Sequence, residues 1–144
     1  MTFLLDVNVL IALVDSSHVN HDLAHGWFAL EGRLDWATCP ITENGLVRII
    51  ANPRYPNAVS TAADALAVLK RLSSLPGHVF WPDDISLRDA GRFSAEKLSA
   101  VGQVTDSYLL ALAVSKRGKL ATLDKRLSAI AVKDGAAGLQ VIGA

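Results

Sequence analysis

Phe3-Leu4-Leu5-Asp6-Val7-Asn8-Val9-Leu10-Ile11 opens the chain with an apolar run broken by one acid. The apolar stretch continues through Leu13 and Val14, too dense to be a single strand. It divides into a short strand ending at Leu5 and a buried helix beginning after Asp6. Working outward, helical spacing predicts a second helix over His21 to Leu30, with Leu23, Trp27 and Leu30 on one face and Gly32 as its stop. Trp36 to Cys39 reads as a strand closed by Pro40. Thr42 then caps a helix from Glu43 to about Ala51, which Asn52-Pro53 ends.

Ser60 or Thr61 opens a helix to about Leu72, with Ala65, Leu66, Leu69 and Leu72 as its apolar stripe. After the Pro76-Gly77 break, His78 to Trp81 is a strand, and Ser86 is placed to cap a helix through Lys97. The clearest helix runs from Asp106 to about Arg117, capped by Thr105 and stopped by Gly118. Lys119 to Leu123 and Leu139 to Ile142 complete the strands. Short apolar strands alternating with helices predict the α/β class, with a mostly parallel central sheet covered on both faces. The expectation is one domain over residues 1–144.

Composition narrows the setting. Of 144 residues, 51% are hydrophobic, yet no run reaches the roughly 20 apolar residues that span a bilayer. The apolar excess is therefore expected in a core or an interface. Cys39 is the only cysteine, which excludes an internal disulfide and a thiolate zinc cluster. No basic, then apolar, leader precedes Asp6, so a cytoplasmic location and no membrane partner are expected. Basic and acidic residues balance at 14 each, which argues against a large phosphate footprint. Lys116, Arg117, Lys119, Lys125 and Arg126 are crowded enough to form a local patch or an ordinary solvated helix end.

In an open parallel sheet, ligands bind outside the carboxyl ends of the strands. Asp6 and Asp124 each follow a predicted strand, while Glu43 and Asp106 sit in the first turns of helices beginning on that side. Four carboxylates converging on one edge repel one another unless a cation neutralises them. Mg²⁺, with Mn²⁺ as a substitute, suits an oxygen-only donor set. Taken singly, each acid has a plainer explanation: Asp6 as a helix cap, Glu43 and Asp106 as complements to a helix dipole, Asp124 as a turn residue.

Four segments carry a resemblance. Leu4-Leu5-Asp6-Val7-Asn8 resembles the opening of PIN domains, and Ile41-Thr42-Glu43-Asn44-Gly45-Leu46-Val47-Arg48 their second motif. Thr105-Asp106-Ser107-Tyr108-Leu109-Leu110 is similar to the third motif, and Leu120-Ala121-Thr122-Leu123-Asp124 to the fourth. The motifs occur in order, and the segment His21 to Trp27 looks like the corresponding helix of VapC toxins. The resemblance implies a three-layer α/β/α sandwich and a Mg²⁺-dependent endoribonuclease held in check by a VapB-like antitoxin. Carried over by position, it makes Asp6, Glu43, Asp106 and Asp124 catalytic, with Asp6 and Asp106 as the principal metal ligands. Asn8 and Thr122 would orient carboxylates or water. Arg48 either contacts an RNA phosphate or pairs with an acid. A homodimer is implied as well, with residues 21–30 and 60–72 as its interface.

Two other readings compete. A phosphatase of the haloacid dehalogenase type also begins with a strand-borne aspartate but requires a second Asp two residues on, where this chain has Asn8. A PIN scaffold that only binds partners would have no need of all four acids.

Overall fold

The computed structural model describes residues 1–144. Five strands, β1 (Phe3–Leu5), β2 (Trp36–Thr38), β3 (His78–Phe80), β4 (Lys119–Thr122) and β5 (Leu139–Val141), form one sheet in the order β3-β2-β1-β4-β5. Every pairing is parallel, with Leu5 opposite Ala121 and Trp36 opposite both Phe3 and His78. Helices α1 (Val7–Val14), α2 (His21–Leu30), α3 (Pro40–Ile50), α4 (Ala62–Ser73) and α5 (Gln103–Ser115) connect them.

The strands are apolar throughout because both faces are covered. Leu4, Ala37 and Leu120 join one core with Leu109, Leu110 and Leu112 of α5. Their neighbours Leu5, Trp36 and Ala121 point the other way, into a core shared with Leu10 of α1, Phe28 of α2, Leu46 of α3 and Leu69 of α4. The side-chain alternation of a strand thus divides one hydrophobic run between two helical layers, giving the α/β/α sandwich. The order of connection matters for the site. From β1 the chain moves outward through β2 to β3, then returns through α5 to place β4 on the opposite side of β1. The sheet therefore reverses its winding between β1 and β4, and a crevice opens at their carboxyl ends.

Five expectations need correction. Pro40 does not merely end a strand: it is the first residue of α3, where its missing N–H leaves no hydrogen bond unmade. Cys39 is the cap, and Thr42 lies inside the first turn, its hydroxyl accepting from the Cys39 N–H at 3.0 Å. Similarly, α5 starts at Gln103, so Thr105 is a helical residue rather than a cap.

No helix forms from Ser86 to Lys97; only Ala95–Lys97 makes a 3₁₀ turn. Here side chains capture the backbone: Ser86 Oγ accepts from Arg88 N–H at 3.2 Å and Asp89 Oδ1 from Gly91 N–H at 2.9 Å. Such local bonds compete with the helical ladder.

Gly118 is not the left-handed stop of α5, because Arg117 takes that conformation with φ at 60°. The glycine is required for close approach instead. A Cβ at this position would lie 2.4 Å from the Thr2 carbonyl oxygen and 2.9 Å from the Trp81 ring. Gly118→Ala is expected to force β4 away from β1 and cost about 1–3 kcal/mol, measured by urea unfolding. Unchanged stability would contradict the packing described.

Candidate active site

Asp6 sits at the switch point. Its backbone N–H donates to the Ala121 carbonyl at 2.9 Å, extending the β1–β4 ladder by one residue. Its side chain then caps α1, Oδ1 accepting from Val7 N–H at 2.8 Å. The other carboxylate oxygen accepts from the Thr122 hydroxyl at 2.8 Å. Burial dominates and pushes the Asp6 carboxyl above its ordinary pKa of 3.8; the Thr122 and Val7 bonds oppose the shift, and the charge of Asp124 adds to it.

Thr122 is the hub of this arrangement. Besides donating to Asp6, its oxygen accepts from Asn8 Nδ2 and from the Asp124 N–H, both at 3.1 Å. One donor and two acceptor positions exhaust what a hydroxyl offers. Asn8 closes the circuit by accepting from Leu123 N–H at 3.1 Å. The two groups expected to orient the acids therefore lock the end of β4 to the start of α1. Thr122→Val would keep the shape but leave Asp6 short of a donor in a buried site. A loss of about 1–3 kcal/mol is expected in urea unfolding at neutral pH, with recovery in Thr122→Ser.

Asp106, in the first turn of α5, faces the same crevice. Its pKa is raised first by burial, then by the charges of Asp6 and Asp124. Three of the four acids thus act on one another. Asp124 combines two roles, since Oδ1 also accepts from Arg126 N–H at 2.9 Å in the turn that follows β4.

Glu43 has a hydrogen-bond network of its own. The Thr38 hydroxyl donates to its Oε2 at 2.7 Å and lies 2.7 Å from His78 Nε2. A hydroxyl has one proton, so with that proton directed at Glu43 the His78 ring must donate to Thr38. This fixes the tautomer with hydrogen on Nε2. Burial lowers the pKa of His78, while the charge of Glu43 acts to raise it. Neither Thr38 nor His78 stood out in the sequence. The available signal was a threonine ending β2, but its partner on β3 follows only from strand order.

Arg48 is exposed and forms no ion pair. It lines a hollow of about 450 Å³ together with Val7 and Thr105, the immediate neighbours of Asp6 and Asp106. The basic run near the fourth acid does not act as one patch. Lys119 begins β4 and Asp124 follows its end, a separation of about 16 Å at strand spacing. Lys116 is bound to Asp84 at 2.7 Å. Only Lys125 and Arg126 remain at the acidic end.

The sequence and fold agree with known proteins on the same assignment. Residues 3–133 match the PIN domain family. Ribonuclease VapC44 of Mycobacterium tuberculosis is 43% identical over 132 residues, spanning 92% of each chain. Ribonuclease VapC39 of the same organism is 45% identical over 128 residues, covering 89% of this chain and 92% of the relative. Among solved structures, the Sarcin-Ricin loop cleaving toxin VapC20 of M. tuberculosis superposes with a TM-score of 0.63 at 14% identity, covering 92% of this chain and 97% of that one. VapBC2 from Rickettsia felis, solved bound to a DNA fragment from its promoter, gives 0.55 at 12% identity, over 88% and 90% of the two chains. With its two-sided parallel sheet and an acid-bearing switch point, the chain belongs to the PIN-domain family, on the branch of the VapC ribonuclease toxins.

Proposed function

We propose that this protein is a divalent-metal-dependent endoribonuclease and the toxin of a toxin–antitoxin pair, with its active site at the crevice between β1 and β4. The observation that carries this reading is the mutual repulsion of Asp6, Asp106 and Asp124 in a chain 43% identical to a VapC ribonuclease.

The donor set suits Mg²⁺ or Mn²⁺. No three His, Cys, Asp or Glu side chains are gathered tightly enough to cage an ion. Mg²⁺ takes oxygen ligands and keeps several waters, so one or two carboxylates suffice to bind it. Asp6 and Asp106 would be its ligands, with Asp124 and Glu43 completing the acidic site through water. When bound, such an ion supplies hydroxide from a coordinated water and offsets charge on the phosphate oxygens.

The chain's own residues have separate tasks. Thr122 and Asn8 hold Asp6 in one orientation, and Asp124, fixed by the same hydroxyl, keeps the field negative enough to retain a cation. Thr38 aims Glu43. Arg48, unpaired beside the hollow, would hold a phosphate of the bound strand by two parallel hydrogen bonds.

The partner would be a VapB-like antitoxin that lays a segment over the crevice and projects an arginine toward the acids. Exposed Leu23, Leu30 and Leu66 on α2 and α4 support a homodimer through those helices. The deciding experiment incubates the purified protein with total cellular RNA and Mg²⁺ and maps the new RNA ends. Discrete cleavage sites that are absent with Asp106→Asn support the assignment; an identical pattern from both proteins would refute it.

A further inference from the structure

A neutral chain that draws RNA toward repelling carboxylates needs its positive charge concentrated somewhere. Two irregular segments provide it on the α5 side of the sheet. Leu87–Leu98 precedes α5, and Ile130–Lys133 follows β4. They meet in a short antiparallel contact of Phe93 with Val132, in which Ser94 N–H donates to the Ala131 carbonyl at 2.9 Å and Lys133 N–H to the Arg92 carbonyl at 3.0 Å.

The segments border a groove of about 630 Å³ whose lining includes Arg88, Arg92, Lys97 and Lys133 against a single acid, Glu96. Glu96 accepts from the Ser94 hydroxyl at 2.7 Å, and Arg92 is paired with Asp89 at 3.2 Å. Arg88, Lys97 and Lys133 form no ion pair. Leu87 and Ile130, 46% and 62% exposed, stand on opposite walls. Each segment is joined along the chain to an acid-bearing element: the first runs on into α5, which carries Asp106, and the second lies on the loop that begins at Asp124.

We infer that this groove binds the phosphate backbone of the RNA substrate, with Arg88, Lys97 and Lys133 as its phosphate contacts. The inference rests on the ribonuclease reading of the acids. Phosphates are the anions that three unpaired cations spaced along a groove accommodate best, and the exposed leucine and isoleucine offer apolar contact to ribose and base. An acidic peptide would satisfy the same charges. RNA is favoured because the two segments that form the groove are joined along the chain to Asp106 and Asp124, the acids read as cleaving it.

The test measures binding of a fluorescein-labelled single-stranded RNA in excess EDTA, where affinity is separated from cleavage. Arg88→Ala/Lys97→Ala/Lys133→Ala should bind about tenfold more weakly than the parent, and its salt slope should fall by roughly 2, as three lost phosphate contacts require. Lys97→Arg/Lys133→Arg should bind as the parent does, and so should Lys70→Ala/Arg71→Ala, which removes two exposed cations from α4. Equal melting temperatures establish that the triple variant is folded. If the triple variant keeps the parent's affinity and slope while the parent cleaves RNA, the groove is refuted and the nuclease stands, even if poly-glutamate binding is weakened. A parent that neither binds nor cleaves RNA refutes both.

Discussion

Asp6→Asn is expected to lose RNA cleavage by at least roughly a thousandfold, equivalent to about 4 kcal/mol of transition-state stabilisation, while its melting temperature holds or rises. The two readouts move differently because Asp6 serves two masters. As a cap of α1 it needs only an oxygen to accept from Val7 N–H, and asparagine supplies one. As a buried charge facing Asp106 and Asp124 it raises the energy of the folded state, and asparagine removes that burden. Asp106→Asn should behave alike. Loss of folding in both variants would assign the acids a structural role.

The pH dependence follows in sign. Asp6 and Asp106 hold their protons more tightly when folded, so their contribution to stability is full below the ordinary carboxylate pKa and is lost as pH rises through the raised folded values. In EDTA, the stability gained by Asp6→Asn should therefore be largest near neutrality and vanish toward pH 4. Asp15, where burial acts to raise the pKa but is outweighed by bonds from Tyr55, Asn57 and Ser17 that lower it, works in the reverse direction and is unaffected by the substitution.

Removing the metal should have an effect as large. Excess EDTA is expected to abolish cleavage, and Mg²⁺ or Mn²⁺ to restore it. An ion that neutralises the crevice binds only the folded chain, so saturating Mg²⁺ should also stabilise it, by about 2.7 kcal/mol at a hundred times the dissociation constant. The gain should shrink as pH falls, because protons compete for Asp6 and Asp106. Calorimetry with and without Mg²⁺ at two pH values measures this. Cleavage undiminished in EDTA would end the metal mechanism.

What the sequence disclosed and what it withheld have physical causes. The strands follow from apolar runs dense enough to require burial on both sides, so a parallel sheet was legible, though its strand order was not. The start of α3 was misplaced because proline stops a strand and begins a helix with equal ease. The segment after Ser86 misled because serine and aspartate cap helices and also form turns, and only its contact with Val132 decides between them. Asp6, Asp106 and Asp124 were found through strand ends and helix starts. The attachment of Glu43 to Thr38 and His78 was hidden, since it joins residues on β2, β3 and α3 whose order in the sheet no local pattern records.

The bond from Thr122 to Asp6 spans 116 positions of sequence. During synthesis Asp6 leaves the ribosome early and waits, while Thr122, which orients it, emerges 116 positions later. No prematurely terminated product lacking β4 contains the assembled site. For an enzyme that cuts RNA, this ties activity to a chain made at least as far as β4.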